Sequence, residues 1–382
     1  MIKSICILAD GYPTPTDPFF PFVEQIALAM VDEGINVTVI APQSYTKHLL
    51  RGKELHPKIR KYHQVGENCV TVFQPTVPTL GRNHMKFNSF FHNRAVDKVL
   101  KRLPQKPDAC YGHFWHSGYG LYKYASKNNL PLFVASGESD VEAENRFDLE
   151  KAKPFFDYVK GVICVSVKNK EESISAGFTT EKKCIIAPNS VNSNLFRKLD
   201  KKMLRAKYNI DENAFIVAFT GAFEHRKGSK RMADAITSLN DSTIKSFFIG
   251  RGLDDRLEDP DCDGILFKGP LDHSVLPEYL NMADVFCLPT LKEGCCNAIV
   301  EALACGLPVI SSNRNFNFDI LDELNSIMID PMDVAAIAKA IKSLKDDKEL
   351  REQLSEGALK KSTSLTIDQR AKTIIGFINN KI

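Results

Sequence analysis

Two successive series of short apolar segments and amphipathic helical segments run along the chain, and this alternation constrains the fold more than any other feature. Strands that alternate with helices are typical of α/β units, in which a helix connects neighbouring parallel strands. The first series opens with residues 2–9, and the second opens with residues 215–219 after a break in the pattern at 183–199. The sequence therefore predicts two doubly wound parallel sheets.

The length of the chain supports two domains, because 382 residues exceed what one hydrophobic core usually holds together. We expect residues 1–188, with a C-terminal helix at 366–382, to form one Rossmann-like domain. Residues 189–365 are expected to form the other. Ligands of doubly wound sheets bind beyond the carboxyl ends of the strands, so the expected architecture is two such domains that face each other across a cleft.

Composition excludes several classes of protein. A formal net charge of +3 is too small for nucleic acid to be the main ligand. The sequence contains no apolar window of about 18 residues. We expect residues 2–9 to be a first buried strand rather than part of a signal peptide. Ten cysteines are present without a Cys-x-x-Cys pair, and the adjacent Cys295 and Cys296 have poor geometry for a metal. We therefore expect a reduced, cytoplasmic protein that needs no metal ion.

The segment 288–309 carries the strongest functional pattern. A strand ends at Leu288, a short loop contains Glu293, and a helix is predicted to begin near Asn297. The amides and the dipole at the start of a helix favour a phosphate. Glu301, about one turn into this helix, is placed to accept hydrogen bonds from two hydroxyl groups, as on a ribose. A capped helix with one solvent-facing glutamate is the simpler interpretation of a lone Glu, but it leaves the small residues at 294–298 unexplained.

A second pattern is the turn Gly221-Ala222-Phe223-Glu224-His225-Arg226-Lys227-Gly228, which directly follows the strand 215–220. Two cations at the end of a core strand suit a diphosphate, because they can neutralise charge on a leaving group without a metal. A solvated basic turn is the alternative. Because this turn lies between a strand and a helix, we favour the binding site.

Residues 293–309 resemble the signature of the family 4 retaining glycosyltransferases, which have the GT-B fold. That signature is a Glu, seven intervening residues, a second Glu, and then Ala-x-Ala-x-Gly-x-Pro-Val, and the segment matches it throughout. Residues 188–192 with Phe196 also resemble the linker of this family, and 221–228 its phosphate loop.

The resemblance implies an enzyme that moves a sugar from a nucleotide-sugar, with UDP favoured, to a saccharide or lipid-linked acceptor, as in polysaccharide or glycoconjugate biosynthesis. The nucleotide-sugar is then a substrate, and no cofactor or metal is expected. Glu293 would contact hydroxyls of the donor sugar, and Glu301 would hold the ribose. The remaining donor-binding residues would be Gly221, Gly294, Cys295, Cys296, Asn297 and Ala298. Arg226 and Lys227 would act on the leaving group, because retention in this family is thought to proceed by front-face attack with little help from a protein base.

Two positions depart from the family pattern. Ala222 stands where an Arg is usual, so Arg226 is expected to substitute for it, whereas Lys227 matches. Ser136 stands where members often carry a His that contacts the donor sugar. Either Glu138 takes over a polar role there, or transfer is weakened or lost. The alternative function is thus a GT-B protein that binds a nucleotide-sugar with little or no transferase activity.

Two histidines beside the only tryptophan follow a predicted strand at 108–112. Imidazole and aromatic groups in such a place often meet a sugar ring, and His-x-Trp-His-x-Gly is similar to the glycogen and starch synthases. His113 is the preferred catalytic candidate, and His116 is expected to be buried support, although simple packing of both remains open. Asp17, in the proline-rich loop 11–21, is a further candidate for substrate contact.

Residues 82–106 contain seven Lys and Arg against a single Asp, with interleaved Phe, Val and Leu. Such a segment could touch anionic lipid, which would place the protein at the inner face of the membrane beside a lipid-linked acceptor. An amphipathic helix with a basic solvent face is the simpler interpretation. Similarly, Asp261-Cys262-Asp263 resembles a metal-binding Asp-x-Asp, but its acidic surroundings favour a solvated loop.

Overall fold

The computed structural model describes residues 1–13, 20–51, 55–80, 84–145, 147–252 and 258–382. The chain divides into two compact units. Unit 1 comprises Met1–Val165, Asn169–Ala187 and Ile367–Ile382, and unit 2 comprises Ser166–Lys168 and Pro188–Thr366. The predicted contact residue Asp17 lies outside the described residues.

Unit 1 contains strands and helices in alternation. The strands are β1 (Ser4–Leu8), β2 (Asn36–Ile40), β3 (Gln43–Ser44), β4 (Ile59–Val65), β5 (Asn68–Phe73), β6 (Thr76–Val77), β7 (Ala109–His113), β8 (Leu132–Ser136), β9 (Gly161–Cys164) and β10 (Cys184–Ile186). The helices are α1 (Pro21–Asp32), α2 (Tyr45–Arg51), α3 (Met85–Leu100), α4 (Trp115–Lys127), α5 (Val141–Glu144), α6 (Leu149–Tyr158), α7 (Val167–Ser175), which begins in unit 2, and the C-terminal α14 (Ile367–Lys381).

The main sheet of unit 1 has the order β10-β9-β8-β7-β1-β2-β5-β4, and only β4 is antiparallel to its neighbour. Side chains of β1 alternate between two cores. Ile5 and Ile7 pack in one core, together with Ile374 of α14, whereas Cys6 and Leu8 pack in the other. Because both faces are covered, the central strand is apolar from Ile5 to Leu8.

Unit 2 repeats the pattern. Its strands are β11 (Phe215–Thr220), β12 (Ile244–Ile249), β13 (Ile265–Gly269), β14 (Val285–Leu288), β15 (Val309–Ser312) and β16 (Ser326–Ile329). Its helices are α8 (Lys201–Lys207), α9 (Ser229–Leu239), α10 (Leu276–Met282), α11 (Asn297–Ala304), α12 (Val334–Asp346) and α13 (Lys348–Ser362). The parallel order is β13-β12-β11-β14-β15-β16. The winding therefore reverses between β11 and β14, where a doubly wound sheet usually binds its ligand.

The predicted fold class, two α/β domains with parallel sheets, is confirmed. Four of the described strands, β3, β4, β6 and β16, were not predicted. β3 and β6 are only two residues long. Every side chain of β4 is exposed or half-buried, so it lacks the apolar run that marks a central strand. The edge strand β16 follows a stretch of turns and is only four residues long.

Candidate functional site

The predicted phosphate turn and the predicted glutamate loop lie side by side in unit 2, because they follow the neighbouring strands β11 and β14. Backbone hydrogen bonds join them directly. The amide of Leu291 donates to the carbonyl of Arg226 at 2.8 Å, and the Thr290 hydroxyl oxygen lies 3.2 Å from the same carbonyl. Gly221, which opens the turn, is tied to β12 by its amide, which donates to the Ile249 carbonyl at 2.9 Å.

Glu293 is the centre of this arrangement. Its side chain is buried, and its Oε1 accepts from Lys227 Nζ at 2.6 Å, Arg226 Nη1 at 3.0 Å and the Thr290 hydroxyl at 2.8 Å. Burial acts to raise the pKa of Glu293, but the positive charges of Lys227 and Arg226 outweigh it, so the pKa lies below its usual value. Glu293 Oε2 has no hydrogen-bond donor among the residues that the structure describes.

Arg226 lies beside Lys227 and is held by several acceptors. Its Nη1 also donates to the Lys292 carbonyl at 2.7 Å, and its Nη2 pairs with the buried Glu224 at 2.8 Å. The guanidinium therefore joins the turn to the loop and remains part-exposed. Arg226 and Lys227 are adjacent in sequence, and both were predicted as site residues. No sequence pattern indicated a role for Glu224.

Arg231, in the first turn of α9, donates hydrogen bonds to both segments. It was not among the site residues predicted from the sequence. It is buried, and its guanidinium donates to the carbonyls of His225, Pro289 and Pro331, each at 2.8 Å. Gly228 has a φ of 79°, and a Cβ there would lie 2.6 Å from the Pro289 oxygen. The sequence did contain one indication that Arg231 is buried: it lies four residues before Ala235, on the apolar face of α9.

The loop of small residues leads into α11 as predicted from the pattern of 288–309. The N-cap residue Cys296 makes no side-chain capping hydrogen bond, and a thiol is a weak acceptor in any case. Burial raises the pKa of Cys296 to about 11, so it is neutral near pH 7. Gly294 and Cys295 are buried, whereas Asn297 and Ala298 are half-buried. The first-turn amides of α11 therefore present a polar, uncharged surface that suits an anion.

Glu301 lies one turn into α11 and is mostly buried. Its Oε1 accepts from Nε2 of His273 at 2.9 Å. His273 lies between β13 and α10, far from Glu301 in sequence, and no local pattern marked it. The Asn189 side chain, from the segment after β10, also reaches this region and donates to the Cys295 carbonyl at 2.9 Å.

In unit 1, the two candidate histidines have opposite environments. His113 is buried and stacks on Phe22 with 5.2 Å between ring centroids, and burial lowers its pKa to about 3. His116 is exposed, and its Nε2 lies 2.8 Å from both carboxylate oxygens of Asp10. The prediction that His116 is the buried partner is wrong, because Trp115 takes the inward position at the start of α4. Asp10, directly after β1, was also missed.

Ser136 and Glu138 belong to a buried network in unit 1. The Glu138 carboxylate accepts from the amides of Trp115 and Gly137, at 3.0 and 2.9 Å, and from the side chains of Asn145 and Ser136, both at 3.0 Å. It thereby caps the start of α4. The Ser136 hydroxyl also lies 3.2 Å from that of Ser173. Both candidates for substrate contact are thus engaged with protein partners.

The side chains and helices of the described residues bear on metal binding, membrane spanning and disulfide formation. Within that part of the chain, no three His, Cys, Asp or Glu side chains are grouped as metal ligands. None of the helices described there has both the length and the apolar composition needed to cross a bilayer. All ten cysteines, which lie within the described ranges, are free thiols.

Removal of the Lys227 ammonium tests the ion pair at Glu293. We expect Lys227→Ala to lower the free energy of unfolding at pH 7 by about 3 kcal/mol, because it removes one partner of a buried pair. The double variant Lys227→Met, Glu293→Gln should lose less unfolding free energy, because it leaves no unpaired buried charge. In the wild type, the stability that Glu293 contributes is present above its unfolded pKa of about 4.3 and is lost as the pH falls towards its lower folded pKa. In Lys227→Ala this acid-dependent loss should be smaller.

Urea unfolding of the wild type and both variants at neutral and acidic pH measures these differences. Equal stability of the wild type and Lys227→Ala at neutral pH would contradict the ion pair.

Comparisons with known proteins place this geometry in context. Residues 200–361 match the family model described as Glycosyl transferases group 1. The putative teichuronic acid biosynthesis glycosyltransferase TuaC of Bacillus subtilis is 26% identical over 327 residues, which cover 81% of this chain and 80% of TuaC. A UDP-Gal:α-D-GlcNAc-diphosphoundecaprenol α-1,3-galactosyltransferase of Escherichia coli is 28% identical over 201 residues, about half of each chain (50% and 52%).

Solved structures agree in fold over nearly the whole chain. Sucrose-phosphate synthase from Thermosynechococcus elongatus superposes with a TM-score of 0.78 at 17% identity, covering 99% of this chain and 98% of that one. Anabaena HepE in complex with UDP and glucose gives a TM-score of 0.72 at 17% identity, covering 99% and 100%. Together the matched domain, the relatives and these neighbours support a GT-B glycosyltransferase with a Glycosyl transferases group 1 domain at residues 200–361.

Proposed function

We propose that the protein is a retaining glycosyltransferase that moves a sugar from a nucleotide-sugar to a saccharide or lipid-linked saccharide in polysaccharide or glycoconjugate biosynthesis. One observation carries the proposal: Lys227 and Arg226 converge on Glu293 immediately before the start of α11, with Glu301 one turn further on. Glu293 would contact the sugar, the cations with the helix start would contact the diphosphate, and Glu301 would contact the ribose, which is the order of these parts in a nucleotide-sugar.

The donor would bind through unit 2. The first-turn amides of α11, with Lys227 and Arg226, would hold the diphosphate. Glu293 would keep Oε1 on the cations and accept hydrogen bonds from sugar hydroxyls with Oε2. UDP is the favoured nucleotide. The UDP complex of HepE and the UDP-Gal donor for which the Escherichia coli galactosyltransferase is named support this choice.

In the proposed reaction, the bond between C1 of the donor sugar and the diphosphate oxygen breaks, and a bond from C1 to the acceptor oxygen forms on the same face. The acceptor proton passes to the departing diphosphate. Lys227 and Arg226 stabilise the negative charge that accumulates there, which is the electrostatic assistance that a bound metal would otherwise give. We therefore propose that transfer needs no metal.

The acceptor would bind through residues 1–188 and 366–382, and the donor through 189–365. Two relatives suggest the class of acceptor. The Escherichia coli galactosyltransferase is named for GlcNAc-diphosphoundecaprenol, and an N-acetylgalactosaminyltransferase of Campylobacter jejuni is named for N,N'-diacetylbacillosaminyl-diphospho-undecaprenol. The exposed pair of Asp10 and His116 offers a polar group in unit 1 for such a saccharide. Burial keeps His113 neutral near pH 7, so its candidate role is as a neutral hydrogen-bonding group.

Contact with a membrane would suit a lipid-linked acceptor. In α3, Val96 and Leu100 are buried, whereas Phe87, Phe90, Arg94 and Lys98 are exposed. In α2, which packs against β6 as α3 does, Leu49 and Leu50 are also exposed. Exposed apolar side chains beside cations favour an anionic lipid surface. We propose a cytoplasmic protein that docks peripherally at the inner face of the membrane.

A second function, nucleotide-sugar binding with weak or lost transfer, is favoured by one observation. Ser136, which stands at the position of the family histidine, is fully buried and bonded within unit 1. Slow hydrolysis of the donor without acceptor separates the two functions, since only an enzyme that can still cleave the donor releases free sugar.

Turnover of UDP-, GDP- and ADP-sugars, measured with GlcNAc-diphosphoundecaprenol and by hydrolysis without acceptor, tests the proposed function. We expect the cognate donor to stabilise the protein against heat and to be consumed. Lys227→Ala and Glu301→Ala should reduce turnover by at least about 100-fold, because each removes a charged contact to the donor. EDTA should leave the rate unchanged.

The matched control is Lys230→Ala, because Lys230 lies three residues beyond Lys227 but is exposed and pairs with Asp234. Near-normal rates in Lys227→Ala would mean that the site is misplaced. Stabilisation by NAD but by no nucleotide-sugar would exclude a transferase.

Sedimentation with lipid vesicles tests the membrane contact. We expect the protein to bind phosphatidylcholine vesicles that contain phosphatidylglycerol, and to bind pure phosphatidylcholine much less. Phe90→Ser should weaken binding several-fold, because it removes an apolar side chain that is 59% exposed. The control is Phe318→Ser in unit 2, where the exposure is 57%. Equal binding by both variants and the wild type would contradict docking through α3.

A further inference from the structure

His273 contacts Glu301 in the proposed donor site, but none of the proposed donor contacts gives this histidine a role. It lies between β13 and α10, and its Nε2 is 2.9 Å from Oε1 of Glu301. Its side chain is 35% exposed, whereas that of Glu301 is 14% exposed. Both side chains are therefore mostly buried, and the imidazole is the more exposed of the two.

A buried aromatic ring also contacts the imidazole. The ring of Phe196 lies 5.0 Å from that of His273, centroid to centroid, at 58°. Phe196 is fully buried, and its amide donates to the Asn192 carbonyl at 2.9 Å. The His273 ring thus contacts both a buried aromatic ring and the Glu301 carboxylate.

This contact engages only one of the two carboxylate oxygens of Glu301. Oε1 is bonded to His273, and Oε2 has no hydrogen-bond donor within the described ranges of the chain. A glutamate side chain has three rotatable bonds, so a free one must be ordered before it can hold a ribose. Because His273 already orders the Glu301 side chain, the ligand does not have to offset that loss of conformational entropy, and one carboxylate oxygen stays available to it.

We propose that His273 is a positioning residue for the nucleotide: it holds Glu301 so that Oε2 accepts a hydrogen bond from a ribose hydroxyl of a ribonucleoside diphosphate. The inference rests on the proposed function, because it assumes that Glu301 binds the ribose. It makes selection of ribose over deoxyribose a property of the His273–Glu301 pair rather than of Glu301 alone.

The pair should also make that selection depend on pH. The hydrogen bond to Glu301 raises the pKa of His273, with burial opposing it and the charge of Glu301 reinforcing it. Among the described residues, Glu301 is the charged group in contact with the ring. Below the raised pKa, both ring nitrogens carry protons and Nε2 always donates. Above it, only one neutral tautomer donates to Glu301, so the carboxylate is held less firmly.

Calorimetric titration with UDP and with 2′-deoxy-UDP tests the proposal. The ratio of the two affinities cancels the ionisation of the phosphates, which both ligands share. The wild type should prefer UDP by about tenfold, which corresponds to one hydrogen bond to a charged group. In His273→Ala the ratio should fall to about twofold. His273→Gln should keep most of it, because an amide nitrogen can replace Nε2, but its ratio should no longer change with pH.

The control is His63→Ala in unit 1, because His63 also pairs with a carboxylate, Asp32 at 2.8 Å, and has a similar exposure of 33%. Its affinity ratio should equal that of the wild type. An unchanged ratio in His273→Ala would overturn the inference. An equal loss of affinity for both ligands would also overturn it, because that result shows a structural role only.

Failure of the proposed function gives a different result. In that case the wild type binds none of UDP, GDP and ADP, and no ratio can be measured for any variant. If GDP or ADP binds in place of UDP, the corresponding 2′-deoxynucleotide serves as the partner, and the same outcomes decide the role of His273.

Discussion

The pairing of Glu293 with Lys227 and Arg226 is the interaction on which the rest of the candidate site depends. A buried carboxylate is unfavourable unless cations and hydrogen-bond donors compensate it, and here two cations and the Thr290 hydroxyl meet on a single oxygen. The same contacts fix the turn after β11 against the loop after β14. The placement of Lys227 and Arg226 that would bind a diphosphate is therefore the same placement that compensates the charge of Glu293.

The reversal of winding in the sheet of unit 2 makes this pairing possible. Because β11 and β14 are neighbours, their carboxyl ends bring together two segments that are more than sixty positions apart in sequence. Arg231 also joins both segments, because its guanidinium donates to the carbonyls of His225 in the turn and Pro289 in the loop. It makes these contacts without using a carboxylate that the ligand would need.

The sequence predicted features that depend on local pattern. Apolar runs located β1, β11 and β14, and the small residues before Asn297 located the start of α11. The residues that were missed, Arg231, His273 and Asp10, act on partners supplied by other elements, and no periodicity reports such contacts. His116 was misjudged for a related reason: which of two adjacent residues turns inward at the start of α4 depends on packing around Trp115.

The central claim is that a nucleoside diphosphate contacts the amides that open α11. Hydrogen–deuterium exchange with and without saturating UDP tests it most directly, because the exchange of each amide reports its own protection. The account predicts slower exchange at residues 294–299 and in the turn 221–228, with little change in the other loops of unit 2. Binding of UDP that leaves exchange at 294–299 unchanged would contradict it.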